Sequence, residues 1–158
     1  MTKIRETLHI RCPYGRAKDF LKEELAPLAA TQKNVSHTLR VPFRDQALTA
    51  PVVMHYSAAL DPMGFDEPWK ISWEPKDTNL YPIFTGSICV RAEEDWETGV
   101  LELEGEYEPP LGVAGAAFDA VLGKRIAEAT AITLLGEIAK GMEKRYDAEE
   151  QAKAALRP

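Results

Sequence analysis

Between Val100 and Met142 a strand pattern runs directly into one long helix pattern. Leu101, Leu103, Gly105 and Tyr107 alternate with Glu102, Glu104 and Glu106. Pro109, Pro110, Leu111 and Gly112 end that alternation, and no proline follows before Met142. Period two puts alternate residues on opposite faces of a sheet, whereas steps of three and four align them on one face of a helix. A sheet that buries one face needs a cover, and the last helix is the cover this chain offers. The spacing therefore predicts a curved antiparallel sheet gripping one helix, with space between them.

The upstream chain supplies the sheet. Ile4, Leu8 and Ile10 alternate with polar neighbours in a first strand, with Glu6 on its apolar side as a strand-end residue or a polar group facing a cavity. Cys12, Pro13, Tyr14 and Gly15 end it. Residues 17–30 read as helix with Phe20, Leu21, Leu25 and Leu28 inward, and Pro27 predicts a kink or two short helices. From Val35 the period is two again: Val35 to Phe43, then Val52 to Leu60. Asp61 to Pro68 is a loop rich in turn formers, read as a connection or as a gate. Trp69, Ile71 and Trp73 share one face of the next strand, and Phe84, Gly86, Ile88 and Val90 share one face of a strand over residues 80–92. Gly86 invites a bend there. The segments between strands are short, as in an antiparallel meander.

Ala116, Ala120, Gly123, Ala127, Ala131, Leu134 and Ile138 form one stripe of the long helix; Phe118, Leu122, Ile126 and Ala129 adjoin it. The small residues have two readings: close approach of helix to sheet, or room left for a ligand. Residues 147–158 form a charged tail, fraying or helical in solvent, beyond a single domain spanning residues 1–146.

Composition narrows the partners. With 45% hydrophobic and 28% charged residues the chain reads as one soluble globular domain. A net charge of -6, with each Lys or Arg pair flanked by carboxylates, argues against nucleic acid. No apolar run reaches the roughly 20 residues of a membrane span, and Met1 to Thr7 has no signal core, so a cytoplasmic location is expected. Cys12 and Cys89 read as free thiols. His9, His37 and His55 lie on three different strands without metal-ligand spacing, so neither a metal site nor a cofactor is expected. No phosphate-binding glycine loop or nucleophile elbow is present.

The residues Glu102 to Gly112, Phe118 to Thr130, and Tyr81 to Gly86 resemble the START-like or SRPBCC superfamily, also called Bet v 1-like or helix-grip. The element order matches along essentially the whole chain. The resemblance implies an α+β helix-grip fold: a curved antiparallel β-sheet wrapped around a long C-terminal α-helix, with two short helices after the first strand. It also implies a deep, mostly apolar cavity that takes lipids, polyketides or aromatic metabolites. The superfamily has no shared catalytic set, so no active-site residue carries over.

The candidate cavity residues are His37, Tyr56, Trp69, Trp73, Phe84, Ile88, Leu103, Tyr107, Phe118, Leu122 and Ile126. Rings with a few polar tips line ligand pockets, and they also fill ordinary cores. Binding of a small apolar ligand is the favoured reading. A cyclase or dehydratase using Tyr56, Tyr107 or His37 as acid or base is the second, and a homodimeric interaction module the third.

Overall fold

The computed structural model describes residues 2–30, 36–43, 46–58, 68–76, 82–108 and 120–157; for 2, 36–43, 46–51 and 120–122 the description is of the backbone. Six strands form one antiparallel sheet: β1 (Thr2–Ile10), β2 (Ser36–Phe43), β3 (Gln46–Ala58), β4 (Trp69–Pro75), β5 (Ile83–Ala92) and β6 (Gly99–Glu108). Their order across the sheet is β1-β6-β5-β4-β3-β2. Two helices complete the described fold, α1 (Tyr14–Ala30) and α2 (Ala120–Ala155).

The sheet is curled. β1 and β2 are its opposite edges, yet both pack against α2, as does β6. One helix reaches both edges only when the sheet wraps toward it. α1 packs against β3, β5 and α2, and neither helix makes a comparable backbone approach to β4.

Register stacks the inward side chains in rows. Met54, Trp73, Phe84 and Tyr107 are successive cross-strand partners, and so are Tyr56, Ile71, Gly86, Gly105 and Ile4. A third row runs through Trp69, Ile88, Leu103 and Glu6. Gly86 and Gly105 face each other beneath the tip of the Phe84 ring. A Cβ on Gly86 would lie 2.6 Å from Phe84 Cζ and 2.8 Å from the Gly105 Cα. Paired glycines remove the side chains that keep a sheet flat, and so favour bending at this point.

The expected break in the first helix is absent: α1 is one helix with Pro27 inside it. The proline falls in the last turn, where only one backbone bond is lost. Ala17, Phe20, Leu21 and Leu25, all before it, are buried and hold the helix in place. Leu80, Tyr81 and the loop 61–67 lie outside the described residues; β5 is described from Ile83. Residues 147–155 continue α2 without a break. Arg11 bonds Glu143 and Asp147, both at 3.2 Å, and Arg16 bonds Glu149 at 2.9 Å. These exposed pairs, each worth well under about 1 kcal/mol, tie the end of α2 to the start of α1.

The buried side of α2 follows the small-residue stripe. Ala127 and Ala131 are fully enclosed, followed by Leu134, Leu135, Ile138 and Met142. Gly136 lies off that side, with nothing within 4 Å of a Cβ built on it. Gly136→Ala is expected to stabilise the protein by about 0.8 kcal/mol through helix propensity alone. A higher urea midpoint at unchanged slope would verify this.

Candidate functional site

The inward face of the sheet gathers most of the aromatic residues singled out from the sequence. Tyr56, Trp69, Trp73, Phe84, Ile88, Leu103, Tyr107 and Ile126 are all buried in one hydrophobic cluster. The Trp73 and Phe84 rings stack, centroids 4.2 Å apart and planes 17° from parallel. That stacking fixes the indole plane. Its Nε1–H is enclosed and has no hydrogen-bond partner among the described residues. A buried donor left unpaired destabilises by about 1–3 kcal/mol. The Tyr56 hydroxyl donates to Met54 Sδ at 3.5 Å, and Met54 is the cross-strand partner of Trp73. Burial, reinforced by the Glu137 carboxylate on α2, pushes the Tyr56 phenol well above its usual range. It therefore keeps its proton at neutral pH and acts as a donor.

Other candidates are placed less fully. His37 is the cross-strand partner of Val52, and Leu122 lies on α2; these are backbone placements. Phe118, and the alanine at 116, lie outside the described residues.

Glu6 ends the third inward row, opposite Leu103. Burial, then the Glu128 carboxylate on α2, raises its pKa. A raised carboxyl pKa means that the folded state holds the proton more tightly than the unfolded chain. Ionising Glu6 thus weakens folding at neutral pH and has no effect once both states are protonated. Glu6→Gln is expected to raise the thermal midpoint at pH 7, the gain vanishing below about pH 3, where the carboxyl is protonated in both states. Melting curves across that range are the measurement, and an equal gain at both ends would contradict the assignment.

The outer face holds a feature that alternation alone does not reveal. Glu102 points away from the core, yet it is only 3% exposed. Arg5 and Arg91 close over it from β1 and β5, each with a guanidinium nitrogen 2.6 Å from a carboxylate oxygen. The clue in the sequence is an outward Arg on each flanking strand, which becomes legible only with the register. His9 and His55 also face outward, 2.6 Å from Glu93 and 3.7 Å from Glu74 respectively.

Among the described residues no cluster of His, Cys, Asp and Glu could hold a metal ion, and no helix is long and apolar enough to cross a membrane. Both cysteines are free thiols. Burial, with Glu143 adding to it, pushes the Cys12 thiol up to about 11, leaving roughly one molecule in a thousand as thiolate at pH 8. Cys89 is half-buried on the outer face. Titration with a chromogenic disulfide at pH 8 is expected to label Cys89 first and Cys12 only after urea is added. Equal rates for the two thiols in the native protein would count against this burial.

Surface depressions are also present. One of about 760 Å³ lies between Arg11 and the charged side of α2 near Lys140 and Lys144. Another of about 470 Å³ covers the outer face of β3–β5 around Ser57, Ser72 and Thr85.

A six-stranded antiparallel sheet curled onto one long C-terminal helix, with a helix inserted after β1, is the helix-grip α+β fold. No family model and no curated protein sequence matches the chain. Among solved structures, TTHA0849 from Thermus thermophilus superposes with a TM-score of 0.50 at 16% identity, covering 91% of this chain and 99% of that one. Ara h 8.0201 gives a TM-score of 0.48 at 9% identity, covering 90% of this chain and 98% of that one. The likeness to TTHA0849, at 16% identity, speaks to the fold and not to a ligand or an activity.

Proposed function

We propose that this protein binds a small, mostly apolar molecule in the interior between the sheet and α2. The observation that carries this reading is the arrangement beneath β4. Neither helix packs its backbone closely there, and the side chains facing inward are Trp69, Ile71 and Trp73, flanked by Tyr56 and Phe84. Aromatic walls with a few polar tips are the common lining of small-molecule sites. On α2 the enclosed Ala127 and Ala131 carry little side-chain volume.

The cyclase or dehydratase reading has less support. Burial moves the Tyr56 phenol further above neutral pH, and general acid–base catalysis favours groups poised near the working pH. Nor does the surface favour an interaction module. The large exposed apolar residues described, Trp96, Ile132 and Leu156, are scattered along the chain.

Native mass spectrometry of the purified protein, followed by denaturation and solvent extraction, tests the proposal. A co-purifying mass released on unfolding is the expected result. A bare chain mass, with no thermal shift from a panel of apolar aromatic and fatty-acid probes, would overturn it.

A further inference from the structure

We propose that the outer face of the sheet binds a phosphate group, held by Lys70 among four hydroxyls contributed by β3, β4 and β5. The site lies on the side of the sheet away from α2. It stands apart from the interior-binding reading, and neither requires the other.

The register builds it. His55, Ser72 and Thr85 are successive cross-strand partners, and so are Ser57, Lys70 and Ser87. The residues that alternate with them, Met54, Tyr56, Ile71, Trp73 and Phe84, are buried, so these six side chains point outward. Neighbouring strands lie about 4.8 Å apart, and next-but-one residues along a strand about 7 Å apart. The six therefore share a patch about 10 Å by 7 Å. All six line the depression of about 470 Å³ on this face. Four of them are Ser or Thr, whose short side chains leave the hollow between Lys70 and His55.

The depression is a donor site. Its described lining holds one Lys, one His and four hydroxyls but no Asp or Glu, in a chain of net charge -6. The depression beside α2, by contrast, is lined by Glu137, Glu143 and Asp147 as well as by cations. Among the described residues nothing engages the Lys70 ammonium or the four hydroxyls in a hydrogen bond or ion pair. The flanking carboxylates have basic neighbours of their own. Glu74 lies 3.7 Å from His55, and Glu104 and Glu106 are the cross-strand partners of Arg5 and Lys3.

The donors then select the ligand. A cation would meet the Lys70 charge. A carboxylate offers two oxygens and would leave most of the hydroxyls unused. A phosphate group offers three strong acceptor oxygens and close to two negative charges, which suits one ammonium ringed by hydroxyls.

The test is a titration of ¹⁵N-labelled protein, in low-salt buffer, with inorganic phosphate, ribose 5-phosphate and ribose. Saturable shifts confined to the backbone amides around Ser57, Lys70, Ser72 and Thr85 are expected with a phosphate and not with ribose. Lys70→Gln should weaken binding about tenfold, as for one hydrogen bond to a charged group. Lys140→Gln, in the other depression, should leave it unchanged. Both lysines are exposed, so neither variant threatens the fold. Tighter binding of ribose 5-phosphate would assign the site to a phosphorylated metabolite, and equal or tighter binding of inorganic phosphate to the free ion; either supports the proposal. Shifts scattered over lysines of the whole surface, equal shifts with ribose, unchanged affinity in Lys70→Gln, or no localised shift at all would each overturn it.

Discussion

Gly86→Ala is expected to destabilise the protein by about 3 kcal/mol, a large effect for one methyl group. The added Cβ would press on the Glu104 carbonyl oxygen, the Phe84 ring and the Gly105 Cα together. Two of these three are backbone atoms of the paired strand, which cannot swing aside as a side-chain tip can. The sheet would have to open between β5 and β6, which are paired from Ile83–Glu108 to Ala92–Gly99. Urea unfolding monitored by tryptophan fluorescence gives the midpoint and slope that measure the loss. A loss below about 1 kcal/mol would mean that the two glycines are not in such close approach.

Phe84→Ala is expected to lower stability by about 4 kcal/mol, in the range for deleting a buried ring. Phe84 is fully enclosed, stacks on Trp73 and covers the glycine pair, so its removal leaves a void that the rigid strands close poorly. The same variant separates two sources of crowding at Gly105. A Cβ there would meet the Phe84 ring at 2.5 Å and also the Thr85 carbonyl oxygen. Removing the ring relieves the first contact and leaves the second. Gly105→Ala should therefore cost less in the Phe84→Ala background than in the wild type, while remaining destabilising. Strict additivity would show that the ring does not rest on the glycine.

Trp69, Ile71 and Trp73 illustrate how much of the fold is legible in the sequence. Their alternation predicts a strand buried on one face, and all three are buried while Lys70 and Glu74 are exposed. The stripe from Ala127 to Ile138 is equally direct, because the helical repeat alone brings those residues to one side. Pro27 is less informative. Its effect depends on how close it lies to the helix end and on burial in the preceding turns.

The site is legible only in outline. Alternation assigns Trp73 to the interior, but it does not show that the indole nitrogen is left without an acceptor among the described residues. Alternation also places Glu102 outside; its enclosure by Arg5 and Arg91 depends on β1 lying beside β6, although 97 residues separate Arg5 from Glu102. The closeness of Gly86 and Gly105 has the same origin, since neither glycine identifies its partner strand.

By itself the sequence determined which residues point inward, because periods of two and 3.6 are properties of the local backbone. It also determined the order of strands and helices, through its turn formers and prolines. Tertiary structure decided which strands are neighbours, how far the sheet curls and which polar groups are left unpaired. Those outcomes depend on contacts between distant segments, whose stability arises only when the sheet closes onto α2 and water leaves the space between them.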